Sequence, residues 1–259
     1  MKNLIKNKVS LREKPFCPIG ELTWKKYYWV YPRKQQNYES KYWGIREDPD
    51  GEKRNLINEW ESQVKNLKPI INFLKEVKPG KILDVGCGPG FLLSALNKNW
   101  DKYGIDVSKT ALDHCTKYAK VFYGELPKLK FKKNMFDVVV MNHVIEHLPN
   151  PVEYLVEVKK ILKENGILII ATPDFDSGCA RHFGKRYRML HDKGHISLFT
   201  SFSLVKMLED YNFKIIFIDY PFFNTIYFTK KNLERLADTK KISPPFYGNH
   251  VVVYSMNKK

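Results

Sequence analysis

Asp84, Gly86, Gly88 and Gly90 alternate through the stretch KILDVGCGPGFLL, residues 81–93. Glycines at this spacing let a backbone turn bring its N–H groups close to a ligand, and Pro89 fixes one φ angle inside the turn. The order is D-x-G-x-G-x-G, not the G-x-G-x-x-G of dinucleotide folds, and no Walker lysine follows it. A second group of reactive residue types is H-V-I-E-H, in which His143, Glu146 and His147 match a spacing found in certain zinc peptidases. That chemistry needs both histidines on one face of a continuous helix. Here the pattern follows the run FDVVVM directly and meets Pro149 and Pro151 soon after, so no metal is expected. The cysteines, Cys17, Cys87, Cys115 and Cys179, form no C-x-x-C pair, and Cys87 inside the glycine turn reads first as a small buried residue.

The elements that must position these residues can be read in order. Ile82, Leu83 and Val85 form a short apolar run suited to a buried strand, and Phe91–Leu96 starts a helix, so the glycines join a strand to a helix N-terminus. Upstream, residues 55–77 carry Leu56, Ile57, Trp60, Val64 and Leu67 at helical spacing, with Pro69 expected to end or kink the helix and a second helix continuing from Ile70. Residues 103–107 read as a second strand, and Ser108 is placed to cap the helix after it. Val121–Tyr123, Phe136–Met141 and Ile167–Thr172 supply three more strands, and residues 151–162 a helix. Ser201 or Ser203 is expected to cap a helix through Leu208, and Phe213–Tyr220 and His250–Met256 read as the last two strands.

Taken together, the glycine turn, the GIDV strand end, the FDVVVM–NHVIEH junction and ENGILIIATP resemble, in order and spacing, the class I S-adenosylmethionine-dependent methyltransferases. Within that superfamily the likeness is to ubiquinone-type and other small-molecule enzymes. The resemblance implies an α/β fold: a Rossmann-like seven-stranded mostly parallel sheet with an antiparallel last strand and helices on both faces. It implies S-adenosyl-L-methionine as cofactor, held by Asp84, Gly86, Cys87, Gly88, Gly90, Asp106, Val107, Glu125 and Asn142. A carboxylate at Asp106 suits two ribose hydroxyls, because it accepts both protons. Glu125 stands where the family has an acid for the adenine amino group. Asn142 and His143 would flank the sulfonium, where His143 or His147 is a candidate general base. HISLFT resembles the family's substrate-side loop and adds His195 as another base candidate. Such bases favour oxygen as the methyl acceptor, and no N-P-P-Y-like strand end points to adenine or glutamine nitrogen.

Domain organisation follows from this frame. Residues 1–54 form an aromatic and basic N-terminal cap segment, crowded with Trp24, Tyr27, Tyr28, Trp29, Tyr31, Tyr38, Tyr42 and Trp43. It packs on the main domain or covers the cofactor. Only Cys17 is present there, so the zinc module of related sugar C-methyltransferases is missing. Residues 55–259 form the methyltransferase domain, with 174–198 as a substrate-side loop and 221–249 as an insertion. In the loop, Arg181, Arg186 and Arg188 are candidates to clamp a phosphate or carboxylate. In the insertion, Phe222, Phe223, Tyr227 and Phe228 precede Lys230 and Lys231, a pattern that fits either a membrane surface or internal packing.

Composition narrows the partner. The net charge is +16, but it comes from dispersed lysines with few arginines and no long basic block, which weakens a nucleic-acid reading and leaves an anionic small molecule. No apolar run approaches the length of a membrane span, the basic N-terminus lacks the apolar block of a signal peptide, and the thiols suit a reducing compartment, so a cytoplasmic protein is expected. The expected activity is methyl transfer to a hydroxyl of a sugar, a glycan precursor or a related metabolite. The alternatives are an RNA methyltransferase and a non-catalytic S-adenosylmethionine-binding protein.

Overall fold

The computed structural model describes residues 17, 19, 22–33, 40–49, 51, 53–221, 225–245 and 249–259. Its centre is a seven-stranded sheet. The strands are β1 (Lys81–Val85), β2 (Asp101–Asp106), β3 (Lys120–Tyr123), β4 (Phe136–Asn142), β5 (Leu162–Pro173), β6 (Phe213–Asp219) and β7 (His250–Asn257). Their spatial order is β6-β7-β5-β4-β1-β2-β3. β7 runs antiparallel to both its neighbours, and the pairs among β1 to β5 are parallel. This is the Rossmann-like architecture expected from the sequence.

The helices are α1 (Trp60–Asn66), α2 (Lys68–Lys75), α3 (Phe91–Ala95), α4 (Lys109–Cys115), α5 (Pro151–Ile161), α6 (Gly178–Phe183), α7 (Ser201–Asp210) and α8 (Lys230–Arg235). They cover both faces of the sheet, and the strand sequences show why. Side chains alternate across a strand, so Leu83, Val139, Met141, Leu168 and Ile170 join one core with Leu155 and Val158 of α5 and Leu204 and Met207 of α7. Their neighbours Ile82, Val138, Val140 and Ile169 face the other way, into a core with Ile70 and Leu74 of α2 and Leu92 of α3. A strand buried on both faces reads as the unbroken apolar run seen at residues 138–141.

Several boundaries differ from the sequence reading. The helix expected from Asn55 begins at Trp60, because Asn55 ends a strand (Lys53–Asn55) paired with Ile45–Glu47 and its side chain accepts a hydrogen bond from the Asn58 N–H. The break near Pro69 is real: Pro69 lies in the first turn of α2, where its missing N–H costs nothing. β5 starts at Leu162 rather than Ile167, with Asn165 at φ 58° inside an irregular register. The cap of α7 is Thr200, whose Oγ1 accepts from the Ser203 N–H, while the Thr200 N–H donates to Ser203 Oγ, completing a capping box. Ser108 caps α4 as expected, accepting from the Ala111 N–H.

The N-terminal aromatics do not form a separate layer. Thr23–Lys25 and Tyr28–Val30 pair as a hairpin, and Tyr28–Val30 also pairs with Ser197–Leu198. Tyr28 packs on Phe199, and the Tyr27 hydroxyl donates to Asp210 at 2.9 Å. The short helix Ser40–Trp43 brings Tyr42 and Trp43 toward the carboxyl ends of β1 and β2. Tyr38, Phe222 and Phe223 lie outside the described residues. No helix among the described residues is long and apolar enough to cross a membrane.

Candidate active site

Gly86, Gly88 and Gly90 adopt φ values of 70°, 51° and 97°, a region that side chains with a Cβ rarely enter. At Gly88 a Cβ would also lie 2.5 Å from the Trp43 ring, and at Gly86 one would lie 2.4 Å from Val144. Asp106 ties this turn to the end of β2: its Oδ2 accepts the Gly88 N–H and its Oδ1 the Ser108 N–H, each at 2.8 Å. Beneath the turn the Asp84 carboxyl is buried. Burial first, and then the nearby Asp106 charge, push it up to about 8.

Two cavities open at the carboxyl ends of the strands, where ligands bind in open α/β sheets. The first lies over β1, β2 and β4 and is lined by Gly86, Asp106, Val107, Glu125, His143 and His147 from the expected set, together with Tyr42, Trp43 and Tyr154. Glu125 also pairs with Lys128 at 2.9 Å. Asp84, Cys87, Gly88 and Gly90 do not line this cavity; they shape it from below. Cys87 is buried, and its thiol is held above the usual range first by a hydrogen bond with Cys115 and then by burial.

The second cavity has a volume of about 300 Å³. It shares Tyr42, His143 and His147 with the first and adds Asn142, Glu146 and His195. All three histidines singled out in the sequence therefore meet here, although His195 is far from the others along the chain. Glu146 is fully buried at their centre. Its Oε1 accepts from His143 Nδ1 and its Oε2 from the Thr172 hydroxyl, each at 3.0 Å. Burial opposes its charge, but the His143 hydrogen bond and the fields of His143, His147 and His195 overcome this and hold its carboxyl at about 2. His195 is pushed down to about 4, chiefly by burial. His250 is lowered well below the usual imidazole value by burial and by His143, whose ring lies 4.6 Å away.

His143 itself has φ 54°, a left-handed conformation that is uncommon outside glycine. It sits where β4 turns into the Ile145–His147 3-10 turn, and its N–H is fixed by the Ala171 carbonyl. That turn is too short to be the long helix of a zinc peptidase, in keeping with the break expected at this junction.

Of the other residues lining the second cavity, the sequence marks Arg188 as an anion clamp and Tyr227 as an insertion aromatic, and it misses Asp48, Arg54 and Asn249. Asp48 bridges Arg54 at 2.7 Å and Arg188 at 3.0 Å, and all three line the wall. Tyr227 is turned inward, its hydroxyl 3.1 Å from Arg54, rather than outward toward a surface partner. Arg181 instead pairs with Asp176. The Asn249 side-chain amide, the His250 Nδ1, the Thr225 hydroxyl and the Asn66 Oδ1 are buried here without a hydrogen-bond partner among the described residues. No spacing rule joins positions 48, 54, 188 and 249, so only the fold could show that they meet.

The apolar and aromatic wall of the first cavity, its two carboxylates and its positive-φ glycine cradle fit a nucleoside with a cationic tail. Comparison with known proteins agrees. Residues 54–217 match the family model described as "Methyltransferase domain", which spans more than half of the chain, and the chain belongs to that family. It is an S-adenosylmethionine-dependent methyltransferase. An uncharacterized protein of Methanocaldococcus jannaschii is 28% identical over 67% of this chain and 67% of its own length. A ubiquinone biosynthesis O-methyltransferase of Rickettsia canadensis is 30% identical over 41% of this chain, which spans 48% of that enzyme's length. Among solved structures, a SAM-dependent methyltransferase from Archaeoglobus fulgidus superposes with a TM-score of 0.58 at 18% identity, covering 78% of this chain and 98% of that one, which supports the fold.

Proposed function

We propose that the chain methylates a hydroxyl group of a small polar molecule, with a sugar or glycan precursor as the leading class. Gly86, Asp106, Val107 and Glu125 would hold the nucleoside part of S-adenosylmethionine, with the Asp106 carboxylate, which lines the cavity, accepting from ribose hydroxyls. The cofactor supplies the electrophilic methyl; the protein supplies position, exclusion of water and a base.

The observation that carries the oxygen reading is the His143–Glu146 pair: His143 lies on the wall common to both cavities, and Glu146 backs it from the second. A carboxylate beside Nδ1 keeps the proton on that nitrogen and leaves Nε2 as acceptor for a hydroxyl proton. The name of the Rickettsia relative points the same way. The unmet polar atoms of Asn249, Thr225 and His250 support a ligand rich in hydroxyls, because buried amides and hydroxyls otherwise find partners. Arg54 and Arg188 on the same wall favour an acceptor that also carries negative charge.

The test is incubation with methyl-labelled cofactor and a panel of nucleotide-linked sugars and fractionated cell metabolites, read by mass spectrometry. O-methylated products are expected. His143→Asn keeps a residue that tolerates positive φ and is expected to lower turnover about 100-fold or more, with binding heat for S-adenosylhomocysteine retained. Products methylated only on nitrogen or carbon, or full turnover by His143→Asn, would reject the hydroxyl reading.

A further inference from the structure

We infer that Glu146, His147 and His195 form a binding site for one divalent transition-metal ion on the wall of the acceptor cavity. One ligating atom from each of the three lies within 4.8 Å of the others. Glu146 and His195 are buried, so this is not a chance grouping of surface charges.

The two imidazoles are already oriented as ligands. His147 Nδ1 lies 2.9 Å from the Gly194 carbonyl, and His195 Nδ1 lies 2.6 Å from the Met189 carbonyl. A carbonyl oxygen only accepts, so both Nδ1 atoms carry the proton and both Nε2 atoms keep a lone pair. This is the outer-shell arrangement that fixes tautomer and ring direction in metal-bound histidines. The rings stand 4.9 Å apart, with the Glu146 carboxylate between the same two segments. The three groups thus bring two imidazoles and a carboxylate together in one place, a donor set that suits a cation.

The frame around them is fixed by backbone bonds. Ile196 N–H donates to the Glu146 carbonyl at 2.8 Å, and the Ser197 hydroxyl donates to the Leu148 carbonyl at 2.6 Å. These bonds hold the loop carrying His195 against the turn carrying Glu146 and His147. The site is therefore built before any ligand arrives.

Two imidazoles with one carboxylate select a borderline ion such as zinc or manganese over magnesium or calcium, which prefer all-oxygen sets. Three protein ligands leave coordination positions facing the cavity. An acceptor hydroxyl bound there would lose its proton more readily, with His143 beside it to take that proton. This catalytic role rests on the hydroxyl reading above; the binding of the ion does not.

The experiment is calorimetry on the full chain after chelator treatment and dialysis, titrated separately with zinc, manganese and magnesium chloride. One equivalent of zinc or manganese is expected to bind, with magnesium at least 100-fold weaker. His195→Gln and Glu146→Gln are expected to weaken zinc binding at least tenfold, while heat with S-adenosylhomocysteine shows that each variant is folded. Pulsed electron paramagnetic resonance of the manganese-loaded wild type is expected to show coupling to imidazole nitrogen, which needs no variant. Absence of a saturable zinc or manganese site, unchanged affinity in folded His195→Gln, or no nitrogen coupling would overturn the site. If the ion binds and only nitrogen or carbon acceptors are methylated, the hydroxyl reading fails and the site stands. If titration finds no saturable zinc or manganese site and the stripped protein still O-methylates at full rate, the site fails and the hydroxyl reading stands.

Discussion

Asp84 shows how one residue can be legible in type and hidden in state. The strand-to-turn position marks it as the acid of the motif, but its burial comes from β2 and β4 pairing on either side of β1. With its pKa at about 8 in the folded chain and near 4 when unfolded, the folded state holds a proton that the unfolded state has released. Stability therefore falls as pH rises from about 4 to about 8. His195, depressed to about 4, acts with opposite sign below about 6.5, because there the unfolded chain gains a proton that the folded chain refuses. Between about pH 6.5 and 8 the His195 effect no longer opposes that of Asp84. Thermal unfolding of the ligand-free protein is expected to show a falling Tm across that window, and Asp84→Asn to flatten it. A slope that survives the substitution would place the titrating group elsewhere.

Elements divide by how local their causes are. The strands that carry the site were readable because burial on both faces leaves an uninterrupted apolar run. The N-terminal hairpin was not, because Tyr28–Val30 is stabilised by Ser197–Leu198, a pairing that no local pattern encodes. The short helix Ser40–Trp43 is similar: its place is set by Trp43 lying over Gly88. This contact makes a two-part prediction. Gly88→Ala meets both the ring and the φ of 51°, and is expected to cost about 1–3 kcal/mol of stability. Adding Trp43→Ala removes the clash and leaves the backbone strain, so part of the Tm loss is expected to return. Trp43→Ala alone is expected to weaken S-adenosylhomocysteine binding about tenfold by calorimetry, since the ring lines the first cavity, the one proposed to hold the cofactor. Unchanged affinity would make Trp43 a packing residue only.

At the scale of the whole molecule, separate stretches of chain close over the second cavity, the one proposed to take the acceptor, and charge holds them there. Asp48 and Arg54 come from before the sheet, Arg188 from the loop between β5 and α7, and Tyr227 from between β6 and β7. The arginine cluster was visible in the sequence as an anion clamp, yet Arg188 spends part of its charge on Asp48 inside the protein. A buried ion pair is costly to break because the surviving charge stays desolvated. Asp48→Asn removes the carboxylate that Arg54 and Arg188 share. It is expected to cost about 3–5 kcal/mol, a fall in Tm on the order of 10 °C for a chain of this size. The network lines the second cavity and not the first, where the cofactor is proposed to bind. Heat of S-adenosylhomocysteine binding is therefore expected to persist at temperatures where the variant is folded, while kcat/KM for the acceptor falls. Equal loss of both affinities would show that the three segments stabilise the molecule as a whole rather than enclosing the acceptor.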